Sequence, residues 1–590
     1  MAKKPFDDSR SQNEKKAVKK KRNPHKISWT HKKSNPLDHS LEKNKVNASF
    51  FRSLKRFFSI NSKVEEQTTK DKAFLKLKNW WPLSKISGRI FLIYIVTIIA
   101  GMILLAVPGV VLNHNYKWDF LTSLFTTSSA FSDTGINIAD ASNDYSFWGQ
   151  LIIVLLIEMG GIGVLTFKVI LYLMINRKIS VNDASLAQSE RGSSNLNSAV
   201  VMIRDGFLWL TAVQIIGAAI LFFAFYFTVP DPNTNYIYNG ERQVLELTSP
   251  YHNFVRSLWF CIFHSTSAIN NAGFDIVSSG SLQPYNHSGN VSYLIQITFI
   301  VEWIIGGLGY PTFHDIKNKI NAWRKGESVP FSLFTKLNFV IYLFLFFAGP
   351  LAIFGIEFSN RSNSLIFNNY TANTNPLGII DAETIVITTS KPLGEVVMDI
   401  IFNTTSTRNA GFSSININDF SSGSKTVMGI LMFIGSAPSS TAGGIRTTTL
   451  AIIILGIVSI ARGKTRVSAF KKTVPEETVK RAFGVFFLSA VLVSLALVIC
   501  YADSHAVLSI AYKGDEAVVG LFVLISSAFG TTGMNPLTSD QMYQLGVLTK
   551  LVIIVVMFMG QLGISNTLLV FAKNSSNEQF GYLEEEVVIG

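Results

Sequence analysis

Residues 396–414 read VVMDIIFNTTSTRNAGFSS: an apolar segment, then hydroxyl side chains, an asparagine and a glycine. Three other stretches follow the same plan, namely WDFLTSLFTTSSAFSDTGIN (118–137), FVRSLWFCIFHSTSAINNAGFD (254–275) and AVVGLFVLISSAFGTTGMN (517–535). Aligned on Gly135, Gly273, Gly411 and Gly533, they agree column by column. Hydroxyl pairs stand seven and six residues upstream (Ser128-Ser129, Thr266-Ser267, Thr404-Thr405, Ser526-Ser527), and small residues stand five upstream (Ala130, Ala268, Ser406, Ala528). Thr134, Ala272, Ala410 and Thr532 immediately precede the glycines; apolar Ile136, Phe274, Phe412 and Met534 follow them. Successive glycines lie 138, 138 and 122 residues apart, so one unit is repeated four times along the chain.

The apolar part of each stretch is too short to cross a bilayer, but each stretch lies between longer apolar runs. Crossing about 30 Å of hydrocarbon takes roughly 20 residues. Such runs occur at 90–112, 148–175, 206–229, 291–312, 333–356, 426–461, 482–502 and 547–572. The expected fold is an all-α polytopic membrane protein in which a unit of span, half-helix, glycine turn and span is repeated four times. With 48% apolar and 15% charged residues, the composition argues against a string of soluble domains. Charge is uneven: residues 1–80 hold 22 Lys+Arg against 8 Asp+Glu, and the other 510 residues hold 30 against 31. The basic body that nucleic-acid binding needs is therefore missing, and no nucleic-acid partner is expected. Cys261 and Cys500 fall inside apolar runs, which excludes a disulfide scaffold. The joints between units carry Arg177 and Lys178, then Lys317, Lys319, Arg324 and Lys325, then Arg462, Lys464, Arg466, Lys471 and Lys472. These joints and both termini are expected on the cytoplasmic face, with the glycine turns outside.

Non-helical backbone at membrane depth needs protein or water around it, so four such turns should gather around one aqueous path. Glycine permits positive φ, which lets neighbouring carbonyls aim at a common axis and replace a monovalent cation's hydration shell. The expected ion-binding filter comprises Thr134, Gly135, Asn271, Ala272, Gly273, Asn409, Ala410, Gly411, Thr532 and Gly533, with the ion at backbone carbonyls. The hydroxyl pairs are expected to hold the turns from behind. Arg408 would repel a bound cation, so it is expected to point away from the axis. In the sixth run, GSAPSSTAGG (Gly435, Ser436, Ala437, Pro438, Ser439, Ser440, Thr441, Ala442, Gly443, Gly444) cannot continue a helix. It is expected to be a flexible gate beneath the filter rather than a static kink, with Arg446 at its lower edge. Small residues in the other closing runs (IEMGGIGVLTF, VEWIIGGLGYPTF, VMFMGQLGISNT) are expected to serve helix packing. Glu158 and Glu302, at equivalent places, are either functional carboxylates or are satisfied by hydrogen bonds to a filter turn.

These motifs, above all NTTSTRNAGF and APSSTAGGIRTTT, resemble the Trk/Ktr/HKT superfamily of potassium transporters, most closely its KtrB- and TrkH-type membrane subunits, over about residues 85–575. The resemblance implies potassium uptake across the plasma membrane, four M1-P-M2 repeats (span, pore half-helix, filter turn, span) around a pseudo-fourfold pore, one filter glycine per repeat and an intramembrane gating loop. It also implies a homodimer in the lipid bilayer, a cytoplasmic nucleotide-binding regulatory ring of the RCK/KtrA/TrkA type, and sodium as an activating or coupling ion; no covalent cofactor is expected. The chain then divides into a basic tail (1–84), pore repeats at 85–178, 179–325, 326–472 and 473–575, and a C-terminal tail (576–590). It departs from the family at Gln561, where relatives usually have Arg, so Gln561 joins the expected gate. A membrane-embedded enzyme using hydroxyl nucleophiles with His264 or His314 as a base is disfavoured because the histidines do not recur with the serines. A symporter with inverted repeats is disfavoured because all four units run in the same sense.

Overall fold

The computed structural model describes residues 86–163, 166, 169–170, 196–230, 235–238, 241–244, 249–287, 290–371, 386–512, 514 and 516–564. The two expected tails, the joint at Arg177 and Lys178, and the far ends of the first and last closing runs lie outside the described residues.

Fifteen helices are described: α1 (Ile86–Leu105), α2 (Phe120–Phe131), α3 (Phe147–Ile162), α4 (Leu196–Phe227), α5 (Phe254–Ile269), α6 (Tyr293–Gly306), α7 (Tyr310–Arg324), α8 (Leu333–Ser359), α9 (Leu393–Ser406), α10 (Ser422–Phe433), α11 (Thr447–Ala461), α12 (Glu476–Ala511), α13 (Glu516–Gly530), α14 (Ser539–Gln544) and α15 (Val547–Leu562). Four two-stranded antiparallel hairpins sit in the connections. Among the described residues, three helices are long and apolar enough to cross a membrane alone, within α4, α8 and α12. Their outward faces carry large exposed apolar side chains, among them Ile215, Phe223, Leu351, Phe487 and Val498, as lipid-facing helices do. The chain is a membrane protein.

The short helices α2, α5, α9 and α13, of 12, 16, 14 and 15 residues, each carry one of the four aligned stretches. At 1.5 Å per residue none spans the hydrocarbon. The first two have side-chain starts: Asp119 accepts from the amides of Leu121 and Thr122, and Asn253 from that of Arg256. Each short helix packs on its unit's opening long helix, α2 on α1, α5 on α4, α9 on α8 and α13 on α12.

The closing runs are not straight spans. α3 ends at Gly163 (φ +82°, ψ 131°), α6 breaks before Gly309 (φ +80°, ψ 146°) and α15 ends at Gly563 (φ +80°, ψ 133°). These three glycines share one backbone conformation, which turns α7 through 91° from α6. In the third unit the break widens into the segment between α10 and α11. Glycine conformational freedom ends these helices inside apolar runs whose hydropathy continues past the break. Close packing is present one turn earlier. Gly160, Gly306 and Gly560 press against the backbone carbonyls of Phe131, Ile269 and Phe529, at the ends of α2, α5 and α13, leaving no room for a Cβ.

The residue after each aligned glycine anchors its turn in the core: Ile136, Phe274, Phe412 and Met534 are all buried. Phe412 stacks on Trp303 of α6 at 6.2 Å and meets Phe299 edge-on at 4.7 Å.

Candidate ion pathway

All four glycines hold the left-handed conformation: φ is +85° at Gly135, +69° at Gly273, +79° at Gly411 and +104° at Gly533. A residue with a Cβ would pay about 1–2 kcal/mol there. The turns meet. A Cβ placed on Gly135 would lie 2.5 Å from the Ala272 oxygen and 2.8 Å from Gly273 Cα; one on Gly273 would lie 3.0 Å from the Thr532 oxygen and 3.1 Å from both the Ala410 oxygen and Gly411 Cα. One on Gly411 would lie 2.8 Å from Gly273 Cα and 3.0 Å from Gly533 Cα; one on Gly533 would lie 2.5 Å from the Thr134 oxygen and 3.3 Å from Gly135 Cα. The four glycines thus form a closed ring in chain order. The oxygens facing it belong to Thr134, Ala272, Ala410 and Thr532, the residues immediately before them.

The turns are supported from behind mainly through backbone. The amides of Thr134, Ala272, Ala410 and Thr532 donate to the carbonyls of Ser129, Ser267, Ser406 and Ser527 at 2.8, 2.8, 2.8 and 2.9 Å. Among the expected hydroxyl supports, Ser527 Oγ accepts from the Gly533 amide at 3.1 Å. Ser128, Ser129, Ser267, Thr404 and Ser526 have buried hydroxyls with no protein partner. Their hydroxyls do not brace the turns in this state.

Two residues ahead of each glycine stands a second left-handed position: Asp133 (φ +51°), Asn271 (+56°), Asn409 (+97°) and Thr531 (+50°). Asp and Asn tolerate this region; a β-branched threonine does so only under strain. Asn271 and Asn409 were expected in the filter, but their side chains turn toward the segment 435–444. Thr531 is not singled out by the sequence, although the column of left-handed-tolerant residue types is visible in the other three copies.

The segment Gly435–Gly444 lies directly against these turns, largely buried, and is hydrogen-bonded along its length. Arg408 Nη2 donates to the Gly435 oxygen at 3.0 Å, with its guanidinium 5.0 Å from the centre of the Tyr342 ring on α8. Ser436 Oγ donates to Asn409 Oδ1 at 3.2 Å. The Ala437 amide donates to the Gly307 oxygen, and the Tyr310 amide to the Ser439 oxygen, both at 3.1 Å, which ties the segment to the break between α6 and α7. Pro438 packs its carbonyl on Gly309. Ser440 is buried, Ala442 accepts from Arg446 Nη1, and the Gly443 amide donates to Thr531 Oγ1 at 2.7 Å. Gln561 Nε2 bridges Asp133 Oδ2 at 3.2 Å and the Thr441 oxygen at 3.4 Å, while its own carbonyl accepts from Arg446 Nη2 at 3.2 Å. The expected flexible loop is, in this state, a docked one.

The two carboxylates, Glu302 buried and Glu158 half-buried, are partnered with the end of the second turn's helix. Glu158 accepts from Asn270 Nδ2 at 2.9 Å, and Glu302 from Ser265 Oγ. His264 is built into the core: one ring nitrogen faces the Phe260 oxygen at 2.7 Å and the other accepts from the Ile276 amide at 3.2 Å. Neither nitrogen is left for base catalysis. His314 lies apart from the turns, 3.2 Å from Asp205, which Lys317 also clamps at 2.6 Å.

Apolar helices enclosing short helices whose turns converge on one point are the architecture of a membrane transport protein. The chain belongs to the TrkH family of cation transport proteins, whose profile matches residues 78–582. It is 30% identical over 559 residues to a protein named an uncharacterized cation transporter from Mycoplasma genitalium, covering 86% of this chain and 97% of the relative. It is 27% identical over 503 residues to the Ktr system potassium uptake protein D of Bacillus subtilis, covering 85% and 96%. Its fold matches that of the potassium transporter TrkH from Vibrio parahaemolyticus with a TM-score of 0.53 at 14% identity, over 89% of this chain and 90% of that one.

Proposed function

We propose that the chain conducts potassium into the cell across the plasma membrane, through a pore made by four M1-P-M2 repeats. The ion passes the carbonyls of Thr134, Ala272, Ala410 and Thr532 and their glycines, and Gly435–Gly444 with Gln561 forms the gate. The observation that carries this reading is the closed ring of Gly135, Gly273, Gly411 and Gly533, since four turns far apart in sequence gain nothing from meeting at so tight a point unless the point itself is used. The Ktr relative's potassium uptake supports the choice of ion. The basic joints support a cytoplasmic placement of both termini. A homodimer, activation by sodium, and control by a cytoplasmic nucleotide-binding ring belong to the same reading.

Rubidium uptake at low external concentration, in cells lacking their own uptake systems, tests it. The native chain, with a regulatory ring supplied, is expected to restore uptake. Gly273→Ser at matched membrane abundance should retain flux with altered ion preference, because the space at Gly273 is the least restrictive of the four. No uptake with the ring present would sink the proposal.

Gln561→Arg is a second check. A guanidinium at that place would sit beside Asp133 and the Thr441 carbonyl with a full charge where an amide now bridges them. Basal flux should fall by about tenfold to a hundredfold, the range a charge-assisted hydrogen bond to the closed gate would give. Unchanged flux would make the position peripheral.

A further inference from the structure

Four side chains, one from each turn and all two residues before the glycine, face the gating segment. Asn271 Nδ2 donates to Thr441 Oγ1 at 2.8 Å, and Asn409 donates to the Gly443 and Gly530 carbonyls while accepting from Ser436. Thr531 Oγ1 accepts from the Gly443 amide at 2.7 Å, and Asp133 reaches Thr441 through Gln561. All four are buried and left-handed. A left-handed residue two before a left-handed glycine fixes the direction in which the intervening carbonyl points. These side chains therefore hold two things at once: the dihedral angles that aim the ring carbonyls, and the segment that blocks the path.

We propose that Asp133, Asn271, Asn409 and Thr531 are positioning residues that couple the gate to ion selection, so that displacing Gly435–Gly444 also releases the ring carbonyls from their set geometry. The inference rests on the potassium-pore reading above. In the closed state the segment braces the turns. When it swings away, Thr531 loses the partner that offsets its strained conformation, Asn271 loses its acceptor, and the ring relaxes. Discrimination between potassium and sodium then depends on how far the segment has moved, although no atom of the segment belongs to the ring. Gln561 makes the fourth link in this chain, which gives a physical role to the residue that departs from the family pattern.

The test is separate rubidium and sodium influx into liposomes carrying the full-length chain, native or with Thr441→Val, Asn271→Gly, or both. Valine keeps the shape of Thr441 and removes its hydroxyl; glycine keeps the left-handed backbone at position 271 and removes the side chain. Each single change should lower the rubidium-to-sodium ratio by about threefold to tenfold, the worth of one buried hydrogen bond. The double change should lower it no further than the larger single one, because both remove the same link. A ratio that stays native in Thr441→Val while total flux rises, or effects that add, would overturn the coupling and leave the pore reading standing. Absence of rubidium influx from the native chain, with and without a regulatory ring, would overturn both.

A second measurement does not depend on those variants. With Cys261 and Cys500 buried, Ser440→Cys reports on the segment alone. Its modification by an impermeant thiol reagent should be faster in sodium than in potassium, since the ion that fits the ring poorly loosens the brace. Equal rates would overturn the proposal.

Discussion

Gly411→Ala is expected to abolish rubidium uptake at unchanged membrane abundance, whereas Gly273→Ala keeps measurable flux. Both glycines are left-handed, at φ +79° and +69°, so the intrinsic backbone cost is similar, about 1–2 kcal/mol. Their surroundings differ. A methyl on Gly273 would meet its neighbours at 3.0 to 3.1 Å, a distance that a few tenths of an ångström of adjustment relieves. A methyl on Gly411 would overlap the Thr532 oxygen, and it would lie 2.8 Å from Gly273 Cα and 3.0 Å from Gly533 Cα. All three are backbone atoms of the ring, so relief requires moving two other turns. The order of tolerance should be Gly273 over Gly411, read as uptake rate against protein abundance in the membrane. Equal loss at both positions would mean that the ring's geometry does not set the pathway.

The second large effect concerns the gate. Removing residues 436–442 should raise basal cation flux by tenfold or more, an order of magnitude consistent with losing several buried hydrogen bonds of about 1 kcal/mol each. The ends of the excursion are already together. Ile434 and Ile445 form a β-bridge, the Ile445 amide donates to the Phe433 carbonyl at 3.2 Å, and Gly435 touches the Gly443 carbonyl. Such a loop can be excised and its ends rejoined with α10 and α11 left in place. The deletion thus removes the obstruction without removing its frame. Rubidium efflux from loaded liposomes, against the native chain, is the measurement; unchanged or slower efflux from properly inserted protein would count against a gate.

Much of this was legible from residue identity, because the relevant signals are local and repeated. The four glycines, the apolar residue after each, and the non-helical GSAPSSTAGG segment all follow from what glycine, proline and buried aromatics must do. The closing helices were not legible in the same way. Gly163, Gly309 and Gly563 sit in runs whose hydropathy continues past them, and nothing in hydropathy distinguishes a glycine that packs, such as Gly160 or Gly306, from one that turns. The hydroxyl pairs were misassigned for a related reason: serine near a helix end offers both a hydroxyl and a carbonyl, and here the carbonyls carry most of the support. The roles of Asp133 and Thr531 went unread because their partners, Gln561 and Gly443, are remote in sequence. Only the folded chain brings together Asn271 with Thr441, or Gln561 with Asp133.

The ring has a bearing on how this protein is made. The carbonyl of Thr134 in the first turn abuts Gly533 in the last, so the circle closes only once the fourth unit is in the membrane. Until the fourth unit is made, the nascent chain holds three turns with exposed carbonyls, and Gly443 has no Thr531 to receive its amide. Unpaired backbone of that kind is costly in lipid and a target for quality-control proteases. Truncation within the fourth unit should therefore shorten the lifetime of the whole polypeptide, and the arrival of that unit becomes the step that commits the protein to its mature form.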